Sequence, residues 1–361
     1  MRQTVSARLD AEVQAHRLES DPAQREAARR LDALGAALET ERPRRFLRLQ
    51  SRTRPPRGLY LWGGVGRGKT LLMDLFFAEL GATGSTATRH HFYHFMREVH
   101  GELGRIKQRE GPLDLVAERL AARARVICLD EFFVSDIADA MILAALLDGL
   151  FKRGVTLVTT SNVPPQELYK DGLQRQRFLP AIESLRQHVD VIHLDGGVDY
   201  RLRQLERAPT YLDSSRDDAA AALAERFAML AGGATESRGK ITVEGRVLHA
   251  VALGQDIAWF EFNELCDGPR SQNDYIELAR LYHTIVIAHV PRFGVFDENA
   301  ARRFIMLIDE LYDRGVKLVV SAAAPPAELY RGERLRFEFE RAASRLMEMQ
   351  TQQYLAGEHR P

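Results

Sequence analysis

One run of residues limits what this chain can fold into more than any other: Gly63-Gly64-Val65-Gly66-Arg67-Gly68-Lys69-Thr70. It follows an apolar strand pattern, Gly58 to Trp62, and opens a helical pattern, Lys69 to Leu80. A glycine-rich turn of the form G-x-x-x-x-G-K-[ST] between strand and helix gathers backbone N–H groups around one anion. Glycine supplies the torsions and the close backbone approach that such a cradle needs. The helix adds its N-terminal N–H groups and its dipole. Lys69 is then placed for the β- and γ-phosphates, and the Thr70 hydroxyl for Mg²⁺. The cofactors expected are ATP and Mg²⁺, with residues 63 to 70 as the nucleotide loop.

A second segment completes the chemistry. "VICLDEF", Val126 to Phe132, is an apolar strand that ends in two acids. Asp130 is expected in the Mg²⁺ shell, directly or through water. Glu131 is expected to orient or deprotonate the attacking water. Thr160-Ser161-Asn162 closes the next apolar strand, and Asn162 is the candidate for sensing the γ-phosphate or the water. Arg175 and Arg177, in "GLQRQRFLP", are candidates for completing a neighbouring subunit's site, Arg175 being the first choice. Arg201, in "GGVDYRLR", is a candidate second nucleotide sensor. His90, His91 and His94 resemble a metal cluster in composition only. Neighbouring strand residues face opposite ways, so a packing or interface role is expected.

The alternation of buried strands and helices from Gly58 onward predicts an α/β P-loop NTPase fold. Its AAA+-like parallel sheet would carry helices on both faces. Arg89 to Phe95, Val126 to Leu129, Val155 to Thr160 and Val189 to Leu194 are expected strands, and Asp139 to Phe151 a helix. Residues 1 to 50 are expected as a helical N-terminal segment and 51 to 205 as the ATPase core. Residues 206 to 265 are expected as a small α+β insertion with a hairpin at Glu244-Gly245, and 266 to 361 as a C-terminal α/β segment. That last segment echoes the core. Val126 to Tyr169 aligns without a gap on Ile287 to Tyr330, 161 positions later. "RGVTLVTTSNVPPQELY" meets "RGVKLVVSAAAPPAELY", with Pro291 and Arg292 facing Asp130 and Glu131. A decayed internal duplication and a convergent helix-to-strand grammar both account for the match.

Composition mainly excludes. The chain has 361 residues, enough for more than one domain, and its 50 basic and 50 acidic residues cancel. No global charge favours nucleic acid. The two cysteines, Cys128 and Cys266, have neither zinc nor disulfide spacing, which fits a reducing cytoplasm. The most apolar run, Met141 to Phe151, is too short for a bilayer and contains Asp148, so no transmembrane helix is expected.

Taken together, the motifs resemble the ZapE/AFG1-like family of P-loop ATPases. The resemblance rests on "LYLWGGVGRGKTLLMDLFF", "LDEFFVSDIADAMIL", "TSNVPPQELYKDGLQRQRFLPAI", "LDGGVDYRLR", "LCDGPRSQNDYIELARLYHTIVI" and "SRLMEMQ", from about Leu59 to Tyr354. Nucleotide binding alone does not require "SDIADA" or "RSQNDY". The resemblance implies ATP hydrolysis by a homo-oligomer that binds the tubulin-like protein FtsZ, destabilises its polymers and is recruited to the division site. It assigns Gly63 to Thr70 as the nucleotide loop, Asp130 and Glu131 as the paired acids and Asn162 as the sensor. Phe133 departs from the family pattern, which has Gln there. Two other functions compete: a nucleic-acid-linked ATPase of helicase-loader type, and a nucleotide-gated scaffold with little turnover. A mitochondrial role is disfavoured because Asp10 and Glu12 interrupt any presequence-like composition.

Overall fold

The computed structural model describes residues 4–15, 20–40, 55–64, 66–106, 111–134, 136–170, 172–195, 209–216, 218–231, 235–243, 245–254, 256–357 and 359–360. The chain divides into two compact units, Met1–Val198 and Asp199–Pro361.

In the first unit, helices α1 (Val5–Gln14) and α2 (Pro22–Thr40) precede β1 (Gly58–Trp62) and α3 (Lys69–Ala82). Then come β2 (Ala87–His91), α4 (Phe92–Arg105), α5 (Pro112–Arg123), β3 (Val126–Asp130) and α6 (Ile137–Lys152). β4 (Thr156–Ser161), α7 (Leu179–His188) and β5 (Val189–His193) close the unit. The five strands are parallel, in the order β2-β3-β4-β1-β5. Alternation along each strand feeds two cores. Leu59, Leu61, Val126, Cys128 and Val158 pack with Leu31, Leu72 and Phe76 of α2 and α3. Tyr60, Ile127, Leu129 and Leu157 pack with Phe95, Leu143 and Ile182 of α4, α6 and α7. Both faces of the sheet are thus covered, which is why the inner strands β1 and β3 read as nearly unbroken apolar runs. Each large side chain buried this way contributes roughly 1.5–3 kcal/mol. Cys128 is a core residue, and burial pushes its thiol up to about 12.

Several boundaries differ from those expected, and two of the shifts have a local cause. The strand predicted over Arg89 to Phe95 stops at His91, where α4 begins. His91 Nδ1 caps that helix by accepting the Tyr93 N–H at 3.3 Å, and Phe92, Phe95, Met96 and Val99 follow at helical spacing into the core. Helix α6 starts two residues before Asp139 because the Asp136 carboxylate accepts the N–H groups of Ala138 and Asp139, at 2.7 and 3.3 Å.

The second unit opens with β6 (Tyr211–Asp213) and α8 (Ala219–Ala231), followed by short strands β7 (Glu236–Ser237), β8 (Lys240–Val243), β9 (Arg246–His249) and β10 (Ala252–Leu253). Next are β11 (Ile257–Glu261), α9 (Phe262–Cys266), α10 (Gln272–Leu281), β12 (Thr284–Val290), α11 (Glu298–Asp313) and β13 (Lys317–Ala322). α12 (Arg336–Glu348) and α13 (Gln352–Leu355) end it. The main sheet runs β6-β13-β12-β11-β10-β7, parallel from β6 to β11, while β8 and β9 form the predicted hairpin around Gly245. Glu244 lies outside the described residues.

This sheet crosses the boundary expected at 265. β6 and β11 come from the stretch read as an insertion, yet they flank β13 and β12 of the stretch read as a separate segment. The sequence echo also needs a correction. α6 and α11, and β4 and β13, do match at the 161-residue displacement. The strand before them does not. Thr284 stands opposite Lys317 where Val126 stands opposite Thr156, so β12 is three residues out of step with the gapless alignment. Ala288 and His289, rather than Pro291 and Arg292, therefore occupy the places of Asp130 and Glu131. The equivalence extends further: Asp213 faces Ala322 as Trp62 faces Ser161, so β6 takes the place of β1.

Candidate active site

The nucleotide loop leaves the tip of β1 in conformations that favour glycine. Gly63, Gly66 and Gly68 have φ of 152°, 74° and 78°. A Cβ on Gly63 would stand 2.5 Å from the Leu194 carbonyl oxygen, so the loop also passes too close to β5's end for a side chain. Gly63 N–H donates to Ser161 O at 3.2 Å, tying the loop to β4. Lys69 is the first residue of α3, and its Nζ lies 2.6 Å from the carbonyl oxygens of both Gly63 and Gly64. Thr70 follows on the first turn, half-buried. Val65 and Arg201 lie outside the described residues.

Sequence reasoning missed one support of this loop. Gln24 of α2 is buried, and its Nε2 donates to the Arg67 carbonyl at 3.1 Å. Asp21 caps the same helix by accepting the N–H groups of Ala23 and Gln24, at 2.7 and 3.2 Å. The N-terminal helices thus prop the loop from outside the motif.

Asp130 ends β3 and is 3% exposed. Arg89 Nε donates to its Oδ2 at 2.6 Å, and the same guanidinium binds Asp74 of α3. Burial works against the Arg89 charge, yet Asp130 and Asp74 outweigh it and raise the guanidinium's pKa. Glu131 takes φ of 52°, a left-handed conformation uncommon for a residue with a side chain. Two contacts hold it there: its N–H donates to Thr160 Oγ1 at 3.1 Å, and its Oε2 meets His91 Nε2 at 2.9 Å. His91, expected only to pack, is therefore a direct partner of the candidate base. Among the described residues no group of three His, Cys, Asp or Glu side chains is placed to hold a metal.

Asn162 follows β4 directly and is half-buried, with no side-chain hydrogen bond to another described residue. Phe133, where a Gln was expected, is 38% exposed, whereas Phe132 is buried against Tyr60 and Phe92. Arg175 is anchored in its own chain, Nη2 donating to the Gln166 carbonyl at 2.6 Å. Arg177 on the same short turn is exposed.

Because β3, β4 and β1 are adjacent and parallel, their carboxyl ends bring the glycine loop, Asp130, Glu131 and Asn162 to one edge of the sheet. The donor set suits a hard cation. The Thr70 hydroxyl and the Asp130 carboxylate are oxygen ligands of the kind Mg²⁺ takes beside phosphate oxygens. The structure brings neither Arg175 nor Arg177 into contact with the loop or the acids among the described residues.

A parallel sheet with a glycine loop, a lysine and paired acids at adjoining tips defines a P-loop nucleoside triphosphatase. The model of the AFG1-like ATPase family matches residues 3–358, and the chain belongs to that family. It is an ATPase. It is 50% identical over 305 residues to cell division protein ZapE of Escherichia coli strain K12, a match that covers 84% of this chain and 81% of that protein. It is 39% identical over 351 residues to lactation elevated protein 1 homolog B of Danio rerio, across 84% of this chain and 69% of that one. The solved structure of DnaI is a distant likeness, 19% identical with a TM-score of 0.35, over 50% of this chain and 86% of that one. No helix among the described residues is long and apolar enough to cross a membrane.

Proposed function

We propose that the first unit hydrolyses ATP with Mg²⁺ and uses the cycle to destabilise FtsZ polymers at the division site. The observation that carries the hydrolytic part is the convergence of Lys69, Asp130 and Glu131 at neighbouring strand tips. Lys69 and the loop amides bind the phosphates, with the ammonium exchanging loop carbonyls for phosphate oxygens. Thr70 and Asp130 would hold the metal, which would supply charge neutralisation at the transferred phosphoryl group. Glu131 takes the water's proton as its oxygen bonds to the γ-phosphorus and the bond to the β-γ bridging oxygen breaks. Asn162 orients that water or the γ-phosphate.

Division is supported by the identity to a cell division protein. FtsZ rests on the family resemblance of "SDIADA" and "RSQNDY". The site is shared between subunits in this reading, and Arg177 is preferred to Arg175 as the residue acting in trans, because Arg175 is already held by Gln166. Turnover per chain then rises with protein concentration and falls in Arg177→Ala; flat turnover removes the shared site. The partner is tested by sedimenting FtsZ polymers with the purified protein, with ATP, without nucleotide, and with Lys69→Ala. Less polymer in the pellet with ATP alone is expected. Equal pellets in all arms overturn the assignment.

A further inference from the structure

Strand β2 carries no residue of the nucleotide motifs, yet it touches both acids at the end of β3. Arg89 and His91 lie two residues apart, on one face of the strand. Parallel pairing sets Arg89 beside Cys128 and His91 beside Asp130, so each side chain reaches one acid diagonally. Arg89 Nε donates to Asp130 Oδ2 at 2.6 Å, and His91 Nε2 meets Glu131 Oε2 at 2.9 Å. The histidine tautomer follows from its second contact. Nδ1 accepts the Tyr93 N–H, so the proton of the neutral ring sits on Nε2 and is donated to Glu131.

We infer that β2 is the positioning element of this ATPase, with Arg89 setting the metal acid and His91 setting the water-activating acid by separate means. This rests on the roles proposed above for Asp130 and Glu131. The Asp130 side chain is 4% exposed, and a carboxylate so enclosed is costly without a counter-charge. Arg89 supplies it. The guanidinium fills the space between Asp130 and Asp74, two carboxylates that would otherwise face a hard divalent ion together. Arg89 therefore makes metal binding conditional on the triphosphate, which brings further oxygen ligands and negative charge. His91 acts on direction rather than charge. Glu131 is in a left-handed conformation that its surroundings must enforce. With its N–H on Thr160 and its carboxylate on His91, the side chain presents its remaining lone pairs in one orientation.

The two roles separate experimentally. Mn²⁺ binding to nucleotide-free protein, read by electron paramagnetic resonance, reports on Arg89. Arg89→Met is expected to bind Mn²⁺ at least about tenfold tighter than wild type, while Arg89→Lys, which keeps the charge, stays near wild type. Steady-state turnover reports on His91. His91→Phe is expected to lower kcat by about 10–100-fold with KM for Mg-ATP and nucleotide-free Mn²⁺ affinity within twofold, and His91→Gln, which keeps an N–H donor, to recover most of the loss. Thermal melts identify any variant that fails to fold, and Arg89→Gln then replaces Arg89→Met. Unchanged Mn²⁺ affinity in the folded Arg89 variants, or unchanged kcat in His91→Phe, overturns the inference. If Lys69 and Glu131 prove irrelevant to turnover, the proposed mechanism fails instead, and the nucleotide-free Mn²⁺ measurement still reads Arg89 by itself.

Discussion

The two units share a frame and differ in what stands on it. After β3, Glu131 has φ of 52° and its N–H donates to Thr160 Oγ1 at 3.1 Å. Near the end of β12, at the bulge before Val290, His289 has φ of 59° and its N–H donates to Ser321 Oγ at 3.0 Å. Each pairs with the last residue of the neighbouring strand, but with the partners exchanged: His91 holds Glu131, and Glu261 holds His289 at 2.8 Å. Helices start at Phe92 and Phe262, immediately after those partners. Asp130 has no acidic counterpart. Ala288 occupies its place, and strand pairing puts Trp259 where Arg89 stands. The glycine loop is gone too. After β6 come Ser214, Ser215 and Arg216, with Asp213 accepting from the Ser215 N–H and hydroxyl, and Asp218 paired with Arg216. Carboxylates at that position repel phosphate.

The difference teaches which contacts belong to the backbone frame and which to the chemistry. The hydroxyl under the left-handed turn and the His–Glu pair persist where neither Asp130 nor Glu131 has an acidic counterpart, so they brace the turn itself. The Arg–Asp pair disappears together with Asp130. Exposure changes as well: the His91–Glu131 side chains are 13% and 21% exposed, against 62% and 47% for His289–Glu261. The His91–Glu131 pair is thus the more enclosed of the two.

Several substitutions would break or sharpen this contrast. The largest effect is expected from Glu131→Gln, which should cost about 10²–10⁴ in kcat with ATP still bound, whereas His289→Gln at the matching place should leave turnover within twofold. Coupled phosphate release and nucleotide binding assays on both variants check this. Equal losses would make the second turn part of the machinery. Lys69→Ala should lower turnover by about 10²–10³-fold, and Arg216→Ala, after the second unit's first strand, should not change it. The cores should behave alike despite the different tips. Phe76 and Phe304 are both fully buried, and truncating either to Ala should cost about 3–5 kcal/mol in denaturant unfolding of its own unit. A much smaller loss at Phe304 would mean that the second unit is less firmly packed than the first. The smallest effect is local. Asp136→Ala removes the α6 cap and should cost about 0.5–2 kcal/mol, measured the same way.

What could be read from the sequence was the chemistry written contiguously. The loop from Gly63 to Thr70 and the acids at Asp130 and Glu131 sit within single strand–loop–helix segments, where spacing alone places them. The parallel core was legible for a similar reason: strands buried on both faces are continuous apolar runs. Arg89, His91 and Gln24 were not legible, because their roles come from cross-strand register and from a helix far upstream, neither of which leaves a periodic mark. Phe92 to Phe95 also looked like the continuation of a strand, since an apolar helix face can begin with the same letters. The second unit was half legible. Its helix and closing strand align at a fixed displacement, but "TIVIAHV" is apolar along most of its length and carries no signal of register, so the gapless alignment slipped by three residues. The bulge between Ile287 and Val290, visible only in the pairing, holds Ala288 and His289.

Isothermal titration of the full chain with a non-hydrolysable ATP analogue and Mg²⁺ bears most directly on the central claim. One nucleotide per chain, abolished in Lys69→Ala and retained in Arg216→Ala, is the expected result. Two nucleotides per chain, or one that survives Lys69→Ala, would show that the second unit still binds and would contradict the division of labour described above.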